Sequence, residues 1–574
     1  MNNEDVFYYQ KELSYLYQTR EYFVKKFPKL APFLALDSKD PDIERIIENL
    51  AILTSKIHQE MEQNIPYIAE SLLNVVSPNY TNPLPSLCMQ EFLLNKDSKK
   101  NKIIVPKGSR LQSITIEQIE CEFRTIYDVY LYPLDIDEVF MSSEKQYHTM
   151  DLRLKVNKPD LKICDIGLDC LNLYLGDDIY TSATLLLFIH LYLEEVKIIS
   201  CDTSEKFKLN SCNITTIGLE PNESCLNYDD LGFEAFSLLR EYFFIPEKFN
   251  FIRIQGLDIL KDCQGSNLSI QFKFNKIFPK NCIVRADLFS LSITPIVNIF
   301  PKNAESIIND HTKDGYRIFV DRVHLDSYEI IKINQVKAHN SDSGRRILKN
   351  YKSFERFEFL KDNQNEFYSI NVKKNSKGET YKEISFFSEH SYNEIITIDA
   401  LCCNKNLPSK LKIGDIRHIN FEDISTKNIK IPSMMREYSV DGHLLWKLVS
   451  ILSFNYQSIL NTTSFFGVLE SYSFVNDKEN EETYKRLKNS IAYIESKSTY
   501  LVDEYITKKG TLCIMGIKDS NFYSLGEVYK LGLIISKFFA SFVSINSFCE
   551  LKIKCLDSKE ILYYPATRGK KVSL

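Results

Sequence analysis

The sequence predicts an α+β protein with helices near both ends and β-strands between them. Three patterns support this fold class. Residues 5–61 show apolar side chains at helical spacing, residues 140–430 show short runs of alternating apolar and polar side chains, and residues 444–574 show both patterns. Because the central runs follow one another without intervening helices, they are typical of β-sandwich-like modules and not of βαβ units.

The composition is that of a folded chain with large apolar cores. Of the 574 residues, 44% are hydrophobic and 26% are charged, and a chain of this length commonly contains about four domains. Glycine and proline occur only 18 times each, which argues against long flexible linkers and glycine-rich phosphate loops. The 33 tyrosines and 37 phenylalanines predict that aromatic packing contributes much of the core.

The charge balance and the apolar runs exclude two classes of partner. The formal net charge is −5 and the nine histidines are scattered, so we expect neither nucleic acid nor an anionic membrane surface as a partner. No apolar run is long enough to span a bilayer, because 185–193 is too short and 531–545 is interrupted by a lysine and by serines. We therefore predict a chain without direct membrane insertion.

The 14 cysteines show no Cys-x-x-Cys pair and no regular framework. The charged N-terminus does not resemble a signal peptide, so we expect reduced thiols in a cytoplasmic protein. The vicinal pair Cys402-Cys403 could act as a redox switch. The neighbouring run 395–398 predicts a core strand, however, which favours two buried and inert thiols.

The N-terminal region predicts two amphipathic helices. Residues 5–36 form the first, with Pro28 and Pro32 near its end, and the second follows Asp40 as N-cap and Pro41 as first helical residue. Their apolar positions recur at helical spacing and are Val6, Tyr9, Leu13, Leu16, Phe23 and Phe27, then Ile43, Ile46, Ile47, Leu50, Ile57 and Met61. Such stripes must pack within one bundle or against another chain, and the residues alone leave both alternatives open.

After Pro85 the pattern changes to strands and turns. Ile103–Val105 meets a turn signal at 106–108, and the alternation is clear in 268–274 and 328–336. Charged stretches such as Val372–Glu383 predict solvated loops between the strands.

The C-terminal region predicts helices again. Leu444–Leu460 is apolar nearly all round and includes Trp446, the single tryptophan, which favours a buried helix with a core tryptophan over an interface residue. Residues 511–517 and 549–555 predict strands. An amphipathic helix is predicted between them, and its apolar face consists of Val528, Leu531, Ile535, Phe538 and Phe542.

The search for catalytic chemistry finds no motif. The sequence contains no GxSxG, GxxxxGK[ST], HExxH or GxGxxG pattern. His58 has no second histidine at i+4, so we predict a surface or interface histidine and no metal there. Two carboxylates could stand at glycosidase spacing in the β-region by chance, but no convergent set of residues supports catalysis. We therefore predict a protein that is not an enzyme and needs no cofactor.

The charges of the second predicted helix permit two interpretations. Glu44 and Glu48 are like charges at i,i+4, an unfavourable pairing unless cations lie across a packing surface. Arg45 either extends over apolar neighbours on a solvated face or contributes to a charged seam that selects which helices pair.

Ten blocks along the chain point to one family. They are Asp40-Pro41-x-x-Glu44-Arg45-x-x-Glu48, Leu72-Leu73, Pro78-x-Tyr80-x-x-Pro83-x-Pro85-Ser86, Pro106-x-Gly108-x-x-Leu111, Cys121-x-Phe123-Arg124-Thr125, Leu238–Phe249, Pro295–Phe300, Asn404-x-x-Leu407-Pro408, Leu445-Trp446-x-Leu448-x-Ser450 with Asn455, and Asn546-Ser547-Phe548. In content and order they resemble the TssF family, baseplate subunits of the type VI secretion system. The resemblance covers about residues 5–570 and departs at His443-Leu444 and Tyr564-Pro565.

The resemblance implies a structural wedge subunit. Two copies of this chain would join one TssG in a shared helical core bundle. TssE would bind this complex, and TssK would bind it through TssG. The wedges would then assemble beside one another around the VgrG hub. Rearrangement of the wedges would then trigger the contractile sheath. The location implied is cytoplasmic, at a baseplate docked on the inner membrane. The residues that we expect at the partner interface are Tyr9, Leu13, Leu16, Phe23, Arg45, Ile46, Leu50 and Ile57.

We therefore expect an elongated, multidomain α+β chain of five regions. These are an N-terminal helical core-bundle region (1–90), a first β-rich module (91–160), a second, wing-like β-rich module (161–300), a third β-rich module (301–435) and a C-terminal α/β region (436–574). Two other functions stay open from the residues. One is a wedge protein of another contractile injection machine, such as a phage tail, and the other is a glycan-binding or glycan-processing β-domain.

Overall fold

The computed structural model describes most of the chain. The described residues are 3–27, 41–42, 44–57, 82–95, 97–143, 147–159, 161–210, 213–226, 234–340, 344–351, 366–374, 380–387, 393–436, 460–470, 478–503 and 506–570. The chain divides into two compact units, Met1–Pro78 with Ser439–Phe454 and Asn79–Tyr438 with Asn455–Leu574. The finer division into five regions stays a prediction.

The described part of the smaller unit is helical. Its first helix is Asn3–Lys26, and residues 41–42 and 44–57 belong to its second helix. Two lysines in the last turn of the first helix suit the negative end of the helix dipole. The Tyr17 hydroxyl donates a hydrogen bond to Glu44 Oε2 at 2.9 Å, which links the two helices. The predicted extension of the first helix beyond Pro28 lies outside the described residues, as does the predicted end of the second helix at Met61.

Six strands from distant parts of the sequence form the first sheet of the larger unit. In spatial order they are Ile416–Ile419, Arg110–Ile116, Ile119–Thr125, Ile293–Val297, Leu87–Leu94 and Ile424–Asn428. All neighbours are antiparallel. A two-stranded ribbon, Ile103–Val105 with Val129–Leu131, shares one apolar core with this sheet, in which Phe92 and Phe123 are fully buried.

Two further sheets enclose a large apolar core. The five-stranded sheet has the order Lys206–Leu209, Leu193–Ser200, Asn267–Phe274, His148–Val156 and Leu134–Ser143. The three-stranded sheet has the order Ile214–Thr216, Phe251–Gln255 and Cys170–Tyr174. Alternate residues of both sheets, such as Phe272 and Ile252, point into this common core. The alternation read at 268–274 therefore correctly predicted a half-buried strand.

An eight-stranded sheet follows, and it corrects one prediction. Seven strands lie in the order Phe300–Asn303, Glu394–Cys403, Glu329–Asn340, Gly344–Asn350, Phe367–Lys374, Thr380–Phe387 and Tyr316–Arg317, and Ile307–Asn309 also pairs with Glu394–Cys403. The prediction of a solvated loop at Val372–Glu383 is wrong at both of its ends, which belong to paired strands. Charged side chains such as Lys373 and Glu383 form a cross-strand ion pair there, so polarity did not exclude a strand.

The C-terminal sheet combines antiparallel and parallel pairing. Its order is Ile491–Asp503, Ile506–Ile517, Phe548–Cys555 and Ile561–Arg568, and the two central strands are parallel. Helix Leu525–Ala540 is the crossover between them, and the Ser524 hydroxyl caps it by accepting from Glu527 N at 3.3 Å. The strands predicted at 511–517 and 549–555 are confirmed.

The crossover helix differs from its predicted form. We predicted an amphipathic helix, but Leu525–Ala540 is buried on nearly all sides, and even Glu527 and Lys530 are buried. The reason is that the helix contacts strands on one side and helices Ile179–Leu187 and Glu234–Phe244 on others. Phe542, predicted on its apolar face, is buried but follows the end of the helix.

The remaining described helices are short. The α-helices are Ile163–Ile166, Ile179–Leu187, Glu234–Phe244, Thr462–Glu470 and Lys478–Ser490, a π-helical segment is Phe188–Tyr192, and the 3₁₀ turns are Pro221–Glu223, Pro246–Phe249, Leu257–Leu260, Ala286–Leu288, Leu325–Ser327, Leu407–Lys410 and Asp519–Asn521. The chain is thus an α+β protein. Of the helix predicted at Leu444–Leu460, only Leu460 is described, so Trp446 lies outside the described residues.

Candidate partner interface

The predicted interface residues of the first helix lie on a partly covered face. Tyr9, Leu13 and Leu16 are half-buried. Phe23 lies on the same helix, but its side chain lies outside the described part. The more exposed aromatic residues of this helix are Tyr15 and Tyr22, at 64% and 69% of their full surface. The spacing rule identified the face of the helix that its own unit partly covers, and it missed the exposed tyrosines.

The second helix presents a continuous apolar row to solvent, which we call the outward stripe. It consists of Ile46, Leu50, Leu53 and Ile57, which are 65%, 43%, 58% and 50% exposed. Their spacing of four, three and four residues places all four on one face of a helix. Sequence analysis identified three of these residues and missed Leu53, although the same spacing includes it.

The opposite face of this helix explains why the stripe points outward. Ala51 and Ser55 are buried and Ile47 is half-buried, and the Ser55 hydroxyl donates to Ile52 O at 2.8 Å. Small side chains permit close approach of a neighbouring element, so this face packs inward and the large apolar residues face solvent. Ile46 and Ile47, predicted to share one stripe, therefore point to different sides.

The predicted interface arginine is exposed. Arg45 Nη1 lies 3.8 Å from Asp42 Oδ1, and both side chains are more than three-quarters exposed, so the pair contributes little to stability. Glu44 instead points toward the first helix, where Tyr17 donates to it. Within the described residues Arg45 belongs to a solvated surface, and its part in a charged seam with a partner stays a prediction.

Two features that would indicate other kinds of site are absent from the described part of the chain. They contain no group of three or more His, Cys, Asp or Glu side chains that could bind a metal ion. Within the same residues, no helix is both long enough and apolar enough to cross a membrane.

Comparison of the whole chain with known families decides its assignment. Residues 1–571 match the family described as "Type VI secretion system, TssF". The chain belongs to the TssF family. TssF proteins are structural components of the secretion system, so the prediction of a non-enzymatic chain is confirmed. The assignment also favours type VI secretion over the phage-tail and glycan alternatives.

Individual relatives agree with the assignment. The type VI secretion system component TssF1 of Pseudomonas aeruginosa strain PAO1 is 23% identical over 100% of both chains. A chain of the TssK-TssF-TssG baseplate subcomplex, solved by cryo-electron microscopy, has a TM-score of 0.78 and 19% identity, covering 92% of this chain and 99% of that one. A chain of the type VI baseplate complex has a TM-score of 0.62 and 16% identity, covering 99% and 100%. At these identities the two structures show a common fold.

Two TssF-like blocks that are distant in sequence meet in the core. Asn298 donates from Nδ2 to Asn404 Oδ1 at 2.9 Å, and Asn404 N donates to Asn298 Oδ1 at 2.7 Å. Both side chains are fully buried. Asn298 Nδ2 also donates to Glu122 O at 2.8 Å, so both ends of the Asn298 amide are paired, whereas the buried Asn404 Nδ2 has no hydrogen-bond partner among the described residues. Since an unpaired buried polar group costs about 1–3 kcal/mol, the contact stabilises chiefly the Asn298 side chain.

A third TssF-like block, Leu238–Phe249, contains a buried ion pair. Glu241 and Lys248 are both inaccessible and pair with each other. Glu241 Oε1 also accepts from Ser224 Oγ and Cys225 N, each at 2.6 Å, and from Leu226 N at 3.2 Å. The carboxylate therefore joins the end of helix Glu234–Phe244 to the chain that precedes it.

The vicinal thiols give a first testable prediction. Cys402 and Cys403 are free and buried, as predicted, and burial raises the pKa of each to about 12. At pH 8 the thiol is then almost entirely protonated and unreactive. Alkylation of the native protein followed by mass spectrometry should modify the exposed Cys201 and leave this pair unmodified until the chain is unfolded. A disulfide between Cys402 and Cys403 in the native protein would contradict the inert assignment.

Proposed function

We propose that this TssF chain is a structural wedge subunit of a type VI baseplate, and that its N-terminal helices bind TssG and a second copy of this chain. The outward stripe is the observation that supports this most directly. A row of four exposed large aliphatic residues on one helix is unusual for a surface with no partner. The common fold with a TssK-TssF-TssG baseplate subcomplex supports the choice of partner.

The stripe offers enough apolar surface to contribute to binding. Burying a fully exposed aliphatic side chain contributes about 1.5–3 kcal/mol. The four side chains are roughly half exposed, so their complete burial would contribute about 3–6 kcal/mol before the entropy cost of association. The half-buried Tyr9, Leu13 and Leu16 and the neighbouring Phe23 would extend the surface along the first helix.

Membership of the TssF family supports a proposal for the wider assembly. We propose that two copies of this chain join one TssG, and that TssE and TssK bind this complex, TssK by contacting TssG. Neighbouring wedges would then surround the VgrG hub. The protein would act in the cytoplasm, at a baseplate docked on the inner membrane. It would transmit a rearrangement of the wedges to the sheath by making different contacts before and after the rearrangement, without making or breaking covalent bonds.

Co-expression with the TssG of the same organism tests the proposal. Size-exclusion chromatography with mass determination should show two copies of this chain per TssG, and Ile46→Glu should reduce the recovered complex at least tenfold, because a charge would enter an apolar contact.

Ile52→Glu is the matched control. Ile52 lies on the same helix and is 40% exposed, but it lies about 120° around the helix from Ile46. We expect the control to assemble like the wild type. A wild-type chain that stays monomeric and does not bind TssG would overturn the proposal. If Ile46→Glu and Ile52→Glu reduce the recovered complex equally, the outward stripe is not the binding surface.

A further inference from the structure

The first strand of the C-terminal sheet, Ile491–Asp503, extends beyond the rest of that sheet. It pairs with Ile506–Ile517 over its whole length, whereas Phe548–Cys555 pairs with the second strand only from Thr511 onward. From Thr499 to Asp503 the described sheet therefore has only two strands. A two-stranded ribbon is marginally stable in water, so this end of the strand would gain most from a third strand.

The outer side of this strand has hydrogen-bonding groups directed away from the sheet. Ile494 N donates to Thr462 Oγ1 at 2.9 Å, on the side opposite its partner strand. Because these groups alternate along a strand, the amides and carbonyls of Ser496, Ser498, Tyr500 and Val502 point to the same outer side. Within the described residues no strand pairs with them. We call residues 496–502 the open edge.

The C-terminal half of the open edge carries three consecutive exposed apolar side chains. Tyr500 is 64% exposed, Leu501 39% and Val502 75%. Proteins generally protect long exposed edges with charges, prolines or bulges, and here Lys497 is the one charge within the open edge. An accessible strand with unpaired backbone groups and apolar side chains is the surface to which a partner strand adds.

We propose that the partner is a second copy of this chain, whose open edge pairs antiparallel with the first and places Tyr500 opposite Tyr500. The direction of the hydrogen-bonding groups permits only registers that pair even-numbered with even-numbered residues. In the proposed register Ser498 is opposite Val502 and Thr499 opposite Leu501. Lys497 of each copy is then opposite position 503 of the other copy, which is an aspartate in the sequence. The two-fold symmetry therefore gives two such lysine–aspartate pairs.

The neighbouring registers are less favourable. Centring the pair on Thr499 would place Glu495 opposite Asp503, a repulsion of like charges that occurs twice. Centring it on Leu501 would leave Lys497 without an opposite charge. Self-pairing at Tyr500 is thus the register with complementary charges, and it would join two four-stranded sheets into one of eight strands.

The contact is small, so its strength depends on concentration. About seven residues per copy take part, which is below the size of a stable independent interface. The pairing would act mainly where another contact already places two copies close together, because that raises their effective concentration. This inference does not require the outward stripe to be the TssG-binding surface.

Disulfide cross-linking tests the register in the full-length chain, alone and in the complex with TssG. In the proposed pairing the Cα atoms of two Tyr500→Cys residues lie about 5.5 Å apart, within disulfide range. Two Ser496→Cys residues would be eight positions out of register, about 27 Å apart. Under mild oxidation Y500C should therefore form more disulfide-linked dimer than the wild type, and S496C should not. The wild-type chain measures the cross-linking that comes from the native thiols.

Charge reversal adds a test of the pairing residues. In the Y500C background Lys497→Glu should slow dimer formation about tenfold, because it creates two like-charge pairs, and adding Asp503→Lys should restore it. Equal cross-linking of Y500C and S496C in an intact TssG complex would overturn the open-edge pairing and leave the wedge function standing. If Lys497→Glu does not change the rate at which Y500C forms the linked dimer, the proposed register is wrong.

Discussion

Replacing Glu241 with alanine should destabilise the larger unit by about 3–5 kcal/mol. The substitution leaves the fully buried Lys248 ammonium without its partner. It also removes the acceptor of the Cys225 amide and one of the two acceptors of the Leu226 amide, which keeps Ser224 Oγ at 3.2 Å. A buried donor that loses its acceptor adds to the cost. Urea unfolding followed by circular dichroism would measure the global loss. Hydrogen exchange of the peptide that contains both amides would show that the effect begins at this site.

A neighbouring ion pair supplies the control. Glu247 pairs with Lys430 at 2.9 Å, but both side chains are about 30% exposed, so Glu247→Ala should cost less than about 1 kcal/mol. The double variant Glu241→Ala with Lys248→Met should recover part of the stability, because it removes the unpaired charge. If E241A and E247A lower the free energy of unfolding by the same amount, the buried ion pair contributes no more to stability than the exposed one.

Replacing Gly526 with alanine should destabilise the protein by about 2–3 kcal/mol. A Cβ atom at this position would lie 2.2 Å from Ala183 O and 2.5 Å from Thr184 N, which are backbone atoms of the adjacent helix Ile179–Leu187. Backbone cannot move aside as a side chain can, so the crossover helix and this helix would have to separate. The loss should appear although alanine favours a helix over glycine by about 1 kcal/mol.

Gly532 of the same helix is the matched control for this substitution. A Cβ there would meet the Tyr564 hydroxyl at 2.1 Å and Ile553 Cδ1 at 2.7 Å, which are the ends of side chains. Side-chain atoms can move where backbone cannot, although the buried Tyr564 would have to give up the hydrogen bond that its hydroxyl donates to Tyr529 O. Gly532→Ala should therefore cost less than Gly526→Ala in thermal or urea unfolding. A Gly526→Ala variant as stable as the wild type would show that the two helices have room to separate.

Local patterns predicted elements well where one face of an element is buried. The alternation at 268–274 identified the strand Asn267–Phe274, whose inward residues are buried in a large core. A different rule, that charged stretches are solvated loops, failed at both ends of Val372–Glu383, because charged residues of adjacent strands can neutralise each other by cross-strand pairing. Helical spacing correctly predicted a helix at Leu525–Ala540 but not its burial on nearly all sides, since spacing cannot show that neighbouring elements cover a helix from several directions.

The candidate interface was predictable only in part. Spacing grouped Ile46 with Ile47, but adjacent positions are only about 100° apart on a helix, so packing decides which of them faces inward. Here Ala51 and Ser55 permit the close contact, and Ile47 turns inward with them. The pairing of Asn298 with Asn404 was beyond any local pattern, because 106 residues separate them.

The six-stranded sheet has a consequence for how the protein is made. Strand Leu87–Leu94 completes its pairing only with Ile424–Asn428, and Thr426 donates to Glu91 O from 335 residues further along the chain. At roughly 5–20 residues per second, a ribosome needs roughly 15–70 s to synthesise that interval. During this time the early strand has an unsatisfied edge, so nascent chains should depend on chaperones, and premature termination before residue 424 should yield aggregation-prone fragments.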